Sequence, residues 1–472
     1  MLDFVEQTRL NRRQVLKTVG AGIAATAMAP LLRAEPAAKP PNILMLVADD
    51  HRGDALGFLG HPDVKTPNLD ALAARGTAFS RAYNMGANND AVCVPARAML
   101  HTGRNLYRAP EDLAGVVTLG EALQAAGYVT YAAGKWHNGM PGFARSFHAG
   151  STIFFGGMTD HLHAPVQDFT AGANPALTPV REAGKFDAEA FADAAVGFLQ
   201  QRGKGKRGQP FFLYTAFTTP HDPRTPPDEY ARLYDAAKVT LPANYLPRHP
   251  FDNGDLNVRD ELLLPRPLTP EVVRRELRLY YALITHLDAQ VGRILAALNQ
   301  SDEAANTIVI YTSDHGLAIG SHGLLGKQNL YQPSLSTPRV FVGPGVPRGK
   351  RTDAIVLKQD YFPTLCQMIG IKAPQSVEGT SFGDIFTGNA GAARTGMLSG
   401  FKTFQRAYCD GRWKYIRYQV NGQKTTQLFD LQADPAETRN LAADAAHAQE
   451  IDRLAGLMRD ARKQCGDTQA FS

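Results

Sequence analysis

The sequence holds only four cysteines in 472 residues, Cys93, Cys366, Cys409 and Cys465, which excludes a disulfide framework as the basis of its stability. Long hydrophobic runs are also missing. The longest, Val19 to Leu32, is broken by Gly20, Gly22 and Pro30 and is shorter than the roughly 20 residues that cross a bilayer, so a multi-span membrane protein is excluded. Low-complexity tracts and internal repeats are absent, which removes disordered, collagen-like and fibrous readings. Nor is there an excess of charge of one sign: 50 Lys and Arg face 45 Asp and Glu, a net of +5. Arg9, Arg12, Arg13, Lys17 and Arg33 against Asp3 and Glu6 put +3 of that into the first 34 residues, leaving 45 basic against 43 acidic groups in the rest. A pI near 8.9 is therefore no nucleic-acid footprint. What is present, 44% hydrophobic and 20% charged residues at a mean hydropathy of −0.24, suffices for a core. The length suits one large α/β unit with a smaller companion.

The N-terminus reads as an address. Asn11-Arg12-Arg13-Gln14-Val15-Leu16-Lys17, an apolar Gly/Ala stretch and a small-residue exit at Ala34 resemble a bacterial twin-arginine export signal. The expected organisation is a signal peptide over 1–34, a catalytic domain over 35–400 and a C-terminal subdomain over 401–472. Such a leader implies the Tat export machinery as a partner, a periplasmic or secreted location and no stable membrane anchor.

Strands and helices alternate along the chain. Asn42 to Ala48 is a continuous apolar run, as in a strand buried on both faces of a parallel sheet, and it ends abruptly at Asp49-Asp50. Thr66-Pro67 opens a helix that Gly76 closes, and Thr118 with Glu121 forms a capping box ahead of a helix ended by Gly127. Tyr128 to Ala133, Phe211 to Phe217, Thr307 to Thr312 and Val340 to Val342 read as further buried strands, with a long helix from Pro270 to about Leu298. Beyond Phe404, the short strands Trp413 to Tyr418 and Gln427 to Leu431 and a helix through Arg462 read as a small α+β subdomain. Gly139 to Gln209, rich in Gly, His and Phe, reads as irregular specificity loops.

In open α/β sheets ligands bind beyond the carboxyl ends of the strands, so the polar residues that follow the apolar runs form one set: Asp49, Asp50, Lys135, His137, His221, Asp314 and His315. Three carboxylates converging there repel one another unless a cation neutralises them, and hard oxygen ligands favour Ca²⁺ or Mg²⁺.

The decisive segment is Cys93-Val94-Pro95-Ala96-Arg97 with Thr102-Gly103-Arg104 after it, which resembles the signature of the type I, formylglycine-dependent sulfatases of the alkaline-phosphatase-like superfamily. The resemblance continues through Pro41 to Asp50, Thr66 to Asp70, Gly134 to His137, Tyr280 to Leu295, Thr312 to Gly316, Lys414 to Ile416 and Leu428 to Leu431. It implies an α/β fold with a large domain built on a mostly parallel central sheet flanked by helices, plus a C-terminal α+β subdomain with a short antiparallel sheet. It further implies a sulfatase acting on a sulfate monoester, with a sulfated carbohydrate as the expected substrate. A maturation enzyme would oxidise Cys93 to formylglycine, whose hydrate attacks sulfur, releases the alcohol and then expels sulfate.

Carried over from the family, Asp49, Asp50, Asp314 and His315 are the expected metal ligands, completed by the modified Cys93. Calcium is the expected ion. Many sulfatases have Asn where this chain has His315, which leaves Mg²⁺ or Mn²⁺ open. Arg97 and Lys135 would hold the nucleophile side, His137 would accept the hydrate proton, and His221 with Lys327 would meet the sulfate and the leaving oxygen. His51, Arg52, Asn88, Asn89 and His322 are candidate pocket residues. Two other functions fit the same residues: a phosphonate or phosphate ester hydrolase on this scaffold, and a non-catalytic sulfated-glycan binding protein. The second does not need a nucleophile with acid and base partners.

Overall fold

The run Asn42–Ala48 offers no polar face, so a strand made from it must be covered on both sides. The computed structural model, which describes residues 39–172, 175–202, 208–388 and 394–471, places it at the centre of the main sheet. Ile43, Met45 and Val47 enter one hydrophobic core and Leu44, Leu46 and Ala48 the other, the period-two alternation of a strand. None of these six side chains is more than 1% exposed. Burial contributes about 1.5 to 3 kcal/mol for each of the larger ones.

Thr307–Ser313 pairs in parallel with one edge of this strand and Phe211–Ala216 with the other; Val129–Lys135 and then Ala149–Phe154 continue the parallel order outward. Arg339–Val342, beside Thr307–Ser313, and Pro165–Thr170, beside Ala149–Phe154, are antiparallel. The helices Pro67–Ala74, Asp187–Arg202 and Pro270–Asn299 supply Leu69, Phe191 and Leu287 to one core. Cys93–Thr102, Leu119–Ala125, Met140–Ser146 and Tyr361–Met368 supply Leu100, Leu123, Phe143 and Leu365 to the other. The large domain is thus the mostly parallel, helix-flanked sheet the sequence implies.

Two local expectations change. The stretch 139–209 holds Met140–Ser146, Ala149–Phe154, Pro165–Thr170 and Asp187–Arg202, so it widens the sheet rather than forming loops throughout. Its glycines and polar residues weaken the alternation by which an edge strand is recognised. Thr66 stands at the N-cap of Pro67–Ala74, but its side chain does not cap: the hydroxyl donates to Asp70 at 2.9 Å and accepts from Gly57 N–H at 2.8 Å. Pro95 lies in the first turn of Cys93–Thr102, whose first residue is Cys93. The Thr118–Glu121 capping box forms as read.

The second sheet contains the antiparallel strands Gln423–Asp430, Trp413–Val420, Gln405–Cys409 and Met397–Phe401, and Gly86–Ala87 adds a parallel edge. Residue 401 is the last of its strand. Gly86 adopts φ +93, and a Cβ there would stand 2.1 Å from the Gly400 carbonyl oxygen, so this seam between chain halves requires glycine. The helix Ala448–Cys465 packs Leu454 and Met458 onto this sheet. The expected leader at 1–34 lies outside the described residues.

Candidate active site

Parallel strands end on one side of the sheet, and that geometry gathers the site. Asp49 and Asp50 follow Ala48, Lys135 closes its strand, His221 lies five residues past Ala216, and Asp314 follows Ser313. Asp50 at φ 67 and His137 at φ 74 are in the left-handed region, turning their side chains out of the strand direction. The ten-residue helix Cys93–Thr102 directs its N-terminus, where N–H groups and the dipole favour anions, to the same place.

Arg97 ties the two chain halves together. Its Nη2 donates to Asp49 Oδ2 at 3.3 Å and its Nε to Asp314 Oδ2 at 3.2 Å, while Nη1 donates to the Lys135 carbonyl at 3.0 Å and the Tyr214 hydroxyl at 3.3 Å. Lys135 Nζ contacts Asp49 Oδ2 and the Gly157 carbonyl and lies 3.8 Å from Cys93 Sγ. Across the same sulfur, His137 Nδ1 is 3.2 Å away. On the far side Lys327 Nζ donates to both Asp50 oxygens at 2.9 and 3.3 Å, His315 Nδ1 is 3.0 Å from Asp50 Oδ1, and His221 Nε2 is 3.8 Å from Asp50 Oδ2.

Apart from the half-buried His137, these groups are buried in a low-dielectric setting, where charge decides protonation. Burial opposes ionisation of Asp49, but Lys135, His221 and Arg97 outweigh it and hold its carboxyl below the usual range. Lys327, His221 and His315 do the same for Asp50. Asp314 goes the other way, because burial and Asp49 raise it against His315 and Arg97. Burial disfavours a charged His315, yet Asp314 and Asp50 push its pKa up to about 10. The buried Cys93 thiol is held well below its ordinary value by Lys135, with His137 and His315 assisting.

The donor set fits a divalent cation. Asp49, Cys93, Asp314 and His315 offer ligand atoms within 4.8 Å of one another, as do Asp49, Asp50 and His221. Asp49 Oδ1 and His315 Nε2 are buried without a hydrogen-bond partner among the described residues, leaving one hard oxygen and one imidazole nitrogen for an ion. A cation here would also relieve the carboxylate repulsion that raises Asp314.

The candidate pocket residues are tied up elsewhere. His51 is buried between the Tyr311 hydroxyl at 2.7 Å and the Ala55 carbonyl at 2.8 Å. Arg52 pairs with Asp54 and donates to the Ala318 carbonyl. His322 stacks on Tyr331 at 3.7 Å and reaches Asn244 at 3.0 Å. Asn88 donates to the Leu106 carbonyl and Asn89 to Glu111, which shapes the turn before Cys93. Sequence reading missed Tyr214, Asp222, Arg259, Asp260 and Lys358. Asp222 could have been found beside His221, whereas Lys358, which donates to the Ser313 carbonyl, carries no local signal.

Comparison with known proteins agrees with this geometry. The Sulfatase family model matches residues 41–371, and that of the N-sulphoglucosamine sulphohydrolase C-terminal region matches residues 320–464. An arylsulfatase of Clostridium perfringens (strain 13 / Type A) is 26% identical over 462 residues, spanning 89% of this chain and 93% of that protein. A protein solved with its substrate D-glucosamine-2-N,6-O-disulfate has a TM-score of 0.76 at 22% identity, covering 91% of this chain and 99% of the other. The phosphonate monoester hydrolase of Agrobacterium radiobacter has a TM-score of 0.73 at 25% identity, covering 90% and 96%.

Proposed function

The chain belongs to the sulfatase family and is a sulfuric ester hydrolase, and from that premise we propose that it cleaves a carbohydrate sulfate monoester with a formylglycine made from Cys93. The observation that carries this reading is the placement of Cys93 at a helix N-terminus, between Lys135 and His137 and beside the carboxylates. The aldehyde hydrate would supply the nucleophile. Asp49, Asp50, Asp314 and His315 would hold a divalent cation, Ca²⁺ in this proposal, which supplies charge neutralisation for the sulfate oxygens.

The chain's own residues divide the remaining work. Lys135 and Arg97 orient the Cys93 side, and His137 accepts a proton there, its Nδ1 being within reach of the position-93 side chain. On the Asp50 side, His221 and Lys327 meet the leaving oxygen, one by giving a proton and the other by offsetting negative charge. The glucosamine disulfate held by the structural relative supports a sugar as the alcohol part.

Turnover of sulfated mono- and oligosaccharides, aryl sulfates, choline sulfate, aryl phosphates and phosphonate monoesters by one matured preparation tests the reading. A clear preference for a sugar sulfate is expected, and preference for a phosphonate monoester would overturn it. We further propose export through the twin-arginine route, with cleavage near Ala34 and maturation of Cys93 before export. Among the described residues no helix is long and apolar enough to cross a membrane. N-terminal sequencing of protein recovered from the periplasm checks the cleavage, and a retained leader would contradict it.

A further inference from the structure

His221 and Lys327 are separated by 106 positions in the sequence, yet one guanidinium reaches the neighbour of the first directly and the neighbour of the second through one carboxylate. Arg259 opens the short turn Arg259–Leu262. Its Nη1 and Nη2 donate to Asp222 Oδ2 and Oδ1 at 2.8 and 2.9 Å, a bidentate fork. Its Nε and Nη2 donate to Asp260 Oδ1 at 3.0 and 2.6 Å. The remaining Nη1 hydrogen faces Met158 Sδ. All five N–H groups are therefore used within the protein.

Each held carboxylate acts on one partner of the leaving oxygen. His221 Nδ1 lies 2.8 Å from the Asp222 carbonyl and 3.2 Å from Asp222 Oδ1, so Nδ1 carries hydrogen and Nε2 is the nitrogen turned to the reaction centre. Asp260 Oδ2 accepts from Gln328 Nε2 at 2.8 Å, and Gln328 Oε1 in turn accepts from the Lys327 backbone N–H at 2.9 Å. We propose that Arg259 is a positioning residue for the desulfation reaction: through Asp222 and Asp260 it fixes His221 and Lys327 together on the leaving-group side. The proposal rests on the roles assigned to those two residues above.

The competing role for an arginine at the mouth, its side chain 45% exposed, is as receptor for a second anionic group on the substrate. The full use of its donors by Asp222, Asp260 and Met158 argues against that role. The two make different predictions: a positioning residue affects kcat according to leaving group, whereas a receptor affects KM for polyanionic substrates.

The test uses metal-loaded, matured enzyme and a series of aryl sulfates from nitrophenyl to methoxyphenyl, with a disulfated monosaccharide as polyanionic probe. Arg259→Met is expected to lose about tenfold or more on the poorest leaving group and much less on nitrophenyl sulfate, with little change in KM. Arg259→Met should cost less in a His221→Ala background than by itself, since only the part acting through Lys327 remains, and should add little to the paired His221→Ala and Lys327→Ala variant. Asp222→Asn, which keeps the side-chain volume, carries the same test if Arg259→Met does not fold. An equal loss across the series overturns the proposal, as does a KM rise confined to the disulfated probe. His221→Ala is the control: without leaving-group dependence in that variant the underlying role of His221 fails, whereas its presence with a uniform Arg259→Met loss removes Arg259 alone.

Discussion

Cys93 Sγ and His137 Nδ1 lie 3.2 Å apart although 44 positions separate them in the chain. The helix beginning at Cys93 and the left-handed turn at His137 are both anchored by Arg97, which donates to the Lys135 carbonyl one residue before Trp136. A base is thus fixed beside the position from which the proposed nucleophile is made.

Replacing Cys93 with Ser, in a host whose maturation enzyme accepts only Cys, is expected to remove nearly all turnover, about a thousandfold or more, while leaving the fold intact. Peptide mass spectrometry of active enzyme should find position 93 converted to the aldehyde. A fully active preparation carrying the free thiol would contradict this.

Removal of divalent ions, or Asp314→Ala, is expected to abolish turnover, and ion removal should lower Tm by several degrees. An ion that binds only the folded state stabilises it by mass action, and Asp314 and Asp49 otherwise face each other in a buried site. Elemental analysis beside calorimetry checks the coupling. A stripped enzyme with unchanged rate and melting temperature would refute it.

His221→Ala and Lys327→Ala are expected to slow a sugar sulfate far more than nitrophenyl sulfate, by about 10² to 10⁴ on the former, because only the sugar alkoxide needs a proton or cation as it departs. His137→Ala should instead trap a covalent sulfate ester after one turnover with either substrate. Burst kinetics on both substrates separate the two classes.

Gly134 precedes Lys135 at φ +87, and a Cβ there would stand 1.9 Å from the Ala216 carbonyl oxygen in the neighbouring strand. Gly134→Ala is expected to cost about 2 kcal/mol or more and to displace Lys135, so stability and turnover fall together. Denaturant titration with kinetics on the same sample measures both.

Glu437 joins the second sheet to the segments around Gln332 and His322: Oε1 accepts from Lys414 Nζ at 2.7 Å, Oε2 accepts from Gln332 N–H at 2.7 Å, and His322 lies 3.7 Å away. Burial would raise its carboxyl, but Lys414 and His322 hold it below the ordinary glutamate range. A depressed folded-state pKa gives stability that is fully present above the unfolded value, near 4.3, and is lost as pH falls toward the folded value. Glu437→Gln is expected to cost about 3 kcal/mol at neutral pH, because it leaves Lys414 buried and uncompensated, and to flatten the fall in Tm below about pH 5. A parallel pair of Tm–pH curves would argue against the assignment.

The sequence by itself determined the central strands, the capping box, the long helix Pro270–Asn299 and the grouping of Asp49, Asp50, Lys135, His221 and Asp314. Those features are local: a short run without polar residues that ends in a turn has the length of a doubly covered strand, and residues after parallel strands share one sheet edge. Cys93 and Arg97 were legible through the resemblance of Cys93-Val94-Pro95-Ala96-Arg97 to a family signature, which is carried by one continuous segment. Tertiary structure alone decided which polar groups are spoken for. His51 and His322 read as pocket residues, but both ring nitrogens of His51 are taken by Tyr311 and Ala55 and Nε2 of His322 by Asn244, from distant segments or from a turn that only packing closes. Arg259 and Lys358 gave no sign in the sequence, because a side chain's role in a buried charge network depends on its neighbours in space. Gly86 joins Gly400 across more than 300 residues for the same reason: strand pairing is fixed by the packing of two sheets, and its partner is written nowhere near it in the chain.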